Sequence, residues 1–208
     1  MAIKLQKGGK FNLAKDAPSL RMAGIGLGWD PNETPGGPNF DLDVSAFLIG
    51  SNGKVPEDSF LVFYGSELKT SEGRPYSGDS SCLGAVDAID GTESDGEDDE
   101  DMYLTFDKVR SDIQQVVITV SVTKYPNDKH RDRRTLGLNF GMVSECYIRC
   151  WNAETSEVLF RYDLAKEYDQ FDAVEFGRFY RVGDSWEFVA STGKGYNGSL
   201  QAFVEMYT

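Results

Sequence analysis

The chain has 208 residues, with 34 Asp and Glu against 21 Lys and Arg, one His, three Cys and a formal net charge of −13. A hydrophobic content of 40% with 12% aromatics suffices for a packed core and excludes a disordered chain, and the length fits one larger domain or two small ones. The negative field repels polyanions, so nucleic acid is excluded as a partner, and no apolar run approaches the roughly 20 residues that span a bilayer, so direct membrane insertion is not expected. The start, MAIKLQKGGKFNL, lacks the apolar segment of a secretory signal, and Cys82, Cys146 and Cys150 read as free thiols of a reducing compartment. A cytoplasmic protein is expected.

Taken in order, short alternating or wholly apolar runs recur between Gly, Pro, Asn and Asp. They are Phe40 to Ile49, Ser59 to Tyr64, Met102 to Phe106, Val116 to Val122, Ser144 to Trp151, Val158 to Tyr162, Val174 to Val182, Ser185 to Ala190 and Leu200 to Met206. Each is rich in Val, Ile, Phe or Tyr and predicts a strand. Helical periodicity is confined to brief stretches near Ser111 and Leu164. About ten strands without long helices predict an all-β fold, an antiparallel β-sandwich with a few short helical turns, in a single domain over residues 1–208.

Charge is concentrated between Asp87 and Asp101, where nine of 15 residues are acidic and none is basic. Asp41 and Asp43 stand two apart in a strand, so both carboxylates leave the same face about 7 Å apart while Leu42 and Val44 point inward. Gly28-Trp29-Asp30 precedes that strand, Gly78-Asp79-Ser80 follows the next, and Asp98-Asp99-Glu100 opens the strand at Met102. These positions are strand entries and Gly-rich loops, which a sandwich gathers at its ends. Calcium takes six to eight oxygens and favours carboxylates, whereas zinc wants His and Cys, of which there are few. The EF-hand spacing fails around Gly91 and Gly96, so a calcium site would be assembled from separate loops. Asp87, Asp90 and Glu93 read as a solvated acidic loop, and Asp98 to Glu100 as ligands because they abut a strand.

Catalytic arrangements are weak. His130 lies among Lys129, Arg131 and Arg133 with no nucleophile nearby, and the Lys129 to Arg134 stretch reads as a solvated hairpin loop. No G-x-S-x-G elbow or P-loop occurs, and the G-x-G-x-x-G at Gly193 to Gly198 has too little chain after it for a βαβ unit, so it reads as a turn. Cys146 and Cys150 share a strand face with Ile148 and read as core. No enzymatic role is expected.

The ordered set Gly26 to Asp30, Phe40 to Ile49, Asp58 to Tyr64, Gly78-Asp79, Asp98 to Glu100, Asn139 to Val143, Tyr147 to Arg149, Arg161 to Leu164, Phe179 to Arg181 and Gly193 to Tyr196 resembles the TerD family of tellurium-resistance and general-stress proteins. The resemblance covers nearly the whole chain. It implies a calcium-binding β-sandwich whose acidic motifs fall here on Asp30, Asp41, Asp43, Asp79, Asp98, Asp99 and Glu100, with one or two Ca2+ ions. It implies partners from a tellurium-resistance or stress gene cluster, a membrane protein among them. Ser80 stands where the family has Asn, leaving a hydroxyl in place of an amide oxygen. The stretch from Ser80 to Glu97 is a longer, acidic version of a normally short spacer, and Asp95 in it is a further ligand candidate. The expected function is a calcium-binding stress-response module whose acidic loops order on metal and engage partners. Two alternatives are a magnesium-dependent hydrolase built on the same acids, and a metal-free acidic interaction protein.

Overall fold

In the computed structural model the described residues are 8–31, 33, 35, 37, 39–92, 98–123, 137–164, 168–190 and 194–208. Twelve strands and two helices appear among them: β1 (Lys10–Asn12), α1 (Leu13–Asp16), β2 (Met22–Gly28), β3 (Leu42–Gly50), β4 (Leu61–Val62), β5 (Cys82–Leu83), β6 (Glu100–Thr105), β7 (Ile113–Val122), β8 (Tyr147–Asn152), β9 (Val158–Asp163), β10 (Ala173–Val182), β11 (Ser185–Ala190), β12 (Gly195–Tyr196) and α2 (Gln201–Tyr207). They form two antiparallel sheets, one ordered β1-β11-β10-β7-β3-β4 with β12 beside β10, the other β5-β6-β2-β8-β9. The fold is thus the all-β, two-sheet arrangement with few helices that the strand runs predict.

Period-2 alternation decides which side of each strand is buried between the sheets. On β3, Leu42, Val44, Ala46 and Leu48 join Val116, Ile118, Val120 and Val122 of β7 and Phe160, Phe176, Phe179 and Phe188 in the inter-sheet core. Phe160 and Phe188 stack at 4.4 Å between ring centres, which locks the two sheets at that end. The opposite face of β3 and β7 is divided. Phe47, Ile49 and Val117 pack under Phe203 and Tyr207 of α2. The other half of that face carries the polar Asp43, Ser45, Thr119 and Ser121, and register pairs Asp43 with Ser121 and Ser45 with Thr119.

Three expectations need correction. The run Leu200 to Met206 falls on helix Gln201–Tyr207, with Leu200 as its N-cap, because Phe203 and Tyr207, four apart, cover the apolar half of the sheet. Ser59 to Tyr64 is a short 3-10 turn at Asp58–Phe60 followed by the two residues of β4. Near Ser111 the helical element is only the 3-10 turn Phe106–Lys108, and Ser111 itself sits in the turn before β7 begins at Ile113. The expected helix near Leu164 runs into residues 165–167, which together with Lys129 to Arg134, His130, Asp95 and Gly193 lie outside the described residues. No helix among the described residues is long and apolar enough to cross a membrane.

Candidate metal site

The loop between β5 and β6 comes back over the polar half of the β3–β7 face. Gly84 N–H donates to Pro75 O at 2.7 Å, Ala85 and Ala88 are buried, and Gly91, at φ +67°, lies against Trp29. A Cβ at Gly91 would come within 2.7 Å of the Trp29 carbonyl, so this approach requires glycine. Asp87, between the two buried alanines, is thereby brought to Asp41 and Asp43. Each of the three offers a carboxylate oxygen, and these oxygens lie within 4.8 Å of one another. Asp41 and Asp43 are each only 2% exposed, whereas Asp87 faces solvent. It is the grouping of three or more potential ligands found among the described residues.

The surroundings of this cluster are oxygen-rich. Thr123 Oγ1 donates to Asp43 Oδ2, and Ser45 Oγ and Ser121 Oγ, on the same sheet face, are buried with no hydrogen-bond partner among the described residues. Glu100 is buried beneath the loop. Its Oε2 accepts from Val44 N at 2.8 Å and its Oε1 from Ala88 N at 3.4 Å. Because β4 pairs only with Ala46 and Phe47, the start of β3 has an open edge there, and the Glu100 carboxylate stands in for the missing strand. Burial pushes the Glu100 carboxyl well above the usual range against the pull of these two N–H donors, and the charges of Asp87 and Asp41 raise it further.

The other sequence candidates lie in different settings. Asp99 Oδ2 accepts from Trp29 N at 2.9 Å, and its Oδ1 is buried with no hydrogen-bond partner among the described residues. Asp98 is committed to Arg149, with Nε at 2.8 Å from Oδ1 and Nη2 at 2.7 Å from Oδ2, and it also accepts from Tyr147 Oη at 3.1 Å. The Asp98 carboxylate fills space left by Gly26, whose Cβ would sit 2.2 Å from Oδ2. Asp79 organises its own turn. Its Oδ1 accepts from Ser77 Oγ (2.7 Å), Ser81 Oγ (2.7 Å) and Ser81 N (3.0 Å), and its Oδ2 from Arg110 N (2.9 Å). Burial works to raise the Asp79 carboxyl, but these donors, led by Arg110 N–H, outweigh it and hold it below the ordinary value. Ser80 is exposed in the left-handed region at φ 58°, and Asp30 is exposed with its N–H on Ser144 O.

Thus the structure brings together Asp41 and Asp43 of the predicted set, places Glu100 beside them, and adds Asp87, which the sequence reading leaves in solvent. It ties Asp98 and Asp79 to protein donors. Thr123, Ser45 and Ser121 go unnoticed in sequence, although pairing VSVT of β7 against Asp41 to Ser45 would nominate them. All three cysteines are free and buried, and burial pushes each thiol upward.

A TerD domain matches residues 1–207. The chain belongs to the TerD family. It is 36% identical to tellurium resistance protein TerD of Serratia marcescens over 100% of this chain and 97% of that protein. It is also 36% identical to the uncharacterized protein YceE of Bacillus subtilis (100% and 98%) and 33% identical to general stress protein 16U of the same organism (100% and 97%). The TerD fold recurs in the crystal structure of a telluride-resistance protein homologue from Streptomyces coelicolor, with a TM-score of 0.64, 17% identity, and coverage of 89% of this chain and 95% of that one. TerD relatives are named for tellurium resistance and for stress response, and this chain is one of that family.

Proposed function

We propose that this TerD protein is a calcium-responsive stress module in which the loop carrying Asp87 closes on the β3–β7 face. The observation that carries this reading is the convergence of Asp41, Asp43 and Asp87 oxygens within 4.8 Å, two of the three carboxylates being buried. At that separation and an effective dielectric near 20, each ionised pair repels by about 3 kcal/mol. A hard divalent cation bound there would supply the missing positive charge, and the donor set fits one: carboxylates with Thr and Ser hydroxyls, and no His or thiol ligand. Asp41, Asp43 and Asp87 would hold the ion. Glu100 would act behind them, tying β3 to the loop through Val44 N–H and Ala88 N–H. Asp99, with an orphaned buried oxygen next to Trp29, is the candidate for a second ion.

Repulsion then links metal to loop order. Without the ion, one carboxylate must leave the cluster or take a proton, and Asp87, the exposed member on the loop, is the one free to move. With it, residues 84–92 are held against the sheet and present a fixed surface to a partner protein of the stress system. The test is the melting temperature in chelator and in millimolar calcium. At about 100 times the dissociation constant the ligand adds roughly 2.7 kcal/mol, which is about 5–11 °C for a domain of this size. An unchanged melting temperature contradicts the proposal, as does an equal shift with Asp43→Asn.

A further inference from the structure

A second site follows from a cavity that the carboxylate cluster does not touch. On the outer face of the smaller sheet, next to its short edge strand β5, a cavity of about 540 Å3 is lined by Met22, Tyr76, Leu83 and Tyr103 on its walls, with Thr105 and Lys108 among its polar groups. Its size falls in the range of small-molecule sites, and such sites combine apolar walls with a few fixed polar groups. We propose that it binds a small amphipathic monocarboxylate, with the apolar body against Tyr103 and Met22 and the anionic end at Lys108.

Charge selects the ligand class. The chain carries −13, yet among the described residues no carboxylate lines this cavity and Lys108 is the one cation that does. Lys108 makes no ion pair or hydrogen bond among the described residues, so its ammonium is available at the wall. The neighbouring Asp107 lines a separate groove with Trp186 and Arg181. One lysine with hydroxyls matches a single negative charge. A phosphate or other dianion would want an arginine fork or a cradle of N–H groups, which the lining lacks, and would meet twice the repulsion from the rest of the molecule.

The walls are built in advance of any ligand. Tyr103 Oη donates to Asp101 Oδ2 at 2.5 Å, and Arg74 Cζ lies 5.4 Å from the Tyr103 ring centre while its Nη2 holds Asp101 O at 2.8 Å. The Trp151 edge meets the same ring at 6.0 Å. Together these contacts fix the ring plane. Ser80, part of the lining, is held at φ 58° by the Asp79 turn, a backbone state that persists only where its surroundings enforce it. A rigid pocket loses little entropy on binding.

The test uses 1-naphthylacetate, its neutral amide and 1-naphthylethylamine, titrated calorimetrically into the full chain in chelator so that any calcium effect stays separate. The expected order is carboxylate, then amide, then amine, with the carboxylate about three- to five-fold tighter than the amide, as befits one partly exposed ion pair. Lys108→Glu, at an exposed position that leaves the fold intact, should reverse the order and make the amine the tightest. Thr105→Trp should fill the cavity and remove binding of all three. Equal affinities, no binding of any probe, or an order unchanged by Lys108→Glu would overturn the proposal.

Discussion

Replacing Asp79 by Ala separates a turn-forming carboxylate from a metal-binding one. The substitution removes the acceptor for Ser77 Oγ, Ser81 Oγ, Ser81 N and Arg110 N, and it leaves the hydroxyls of the buried Ser77 and Ser81 only their long 3.5 Å contact with each other and the Cys82 N–H that Ser77 Oγ accepts. At about 1 kcal/mol net per bond the loss sums to about 4 kcal/mol, and discounting for the half-exposed carboxylate gives about 3 kcal/mol. For a domain of this length that is a fall of about 6–12 °C in melting temperature. Differential scanning calorimetry in chelator and in calcium should show the same fall in both. Because the native state holds this carboxyl below its unfolded value, its contribution is present above about pH 4 and is lost as pH falls through the native value. The gap between wild type and Asp79→Ala should therefore narrow on acidification below pH 4. A variant that melts with wild type in chelator but no longer responds to calcium would refute the reasoning and make Asp79 a ligand.

Two further predictions follow from packing and burial. Gly91→Ala forces a side chain into the left-handed region and against the Trp29 carbonyl, so it should cost about 2 kcal/mol or more and weaken any calcium response by displacing the Asp87 loop, both read from melting curves with and without the ion. Cys82, Cys146 and Cys150 should show no reaction with a thiol reagent in the native protein and three equivalents after denaturation, whereas a rapidly labelled native thiol would contradict their burial.

Much of the fold is legible in the residues. Val116 to Val122 and Ser185 to Ala190 read as strands because β-branched and aromatic residues alternate there with no competing signal. The β2 strand, MAGIGLG, escapes notice because three glycines lower its strand character. In the fold those glycines make room for Trp151, Asp98 and Tyr147. Leu200 to Met206 misleads because a short apolar run fits either period, and only the uncovered half-face of β3 and β7 decides for helix. In the candidate site, Asp41 and Asp43 are legible from their i, i+2 spacing. The pairing of Asp98 with Arg149 is not, because nothing in the spacing of Asp98 reveals the guanidinium waiting across the sheet. Asp87 is hidden for the opposite reason, since a loop position gains its neighbours from the path that Ala85, Ala88 and Gly91 impose.

The most direct trial of the central claim is calorimetric titration of calcium into the metal-free protein and into Asp43→Asn and Asp87→Asn variants. The account predicts one or two bound ions in the wild type and the loss of one binding event in each variant, with the variants folded as judged by their melting in chelator. Calcium heats that are absent in the wild type, or identical in all three proteins, would contradict it.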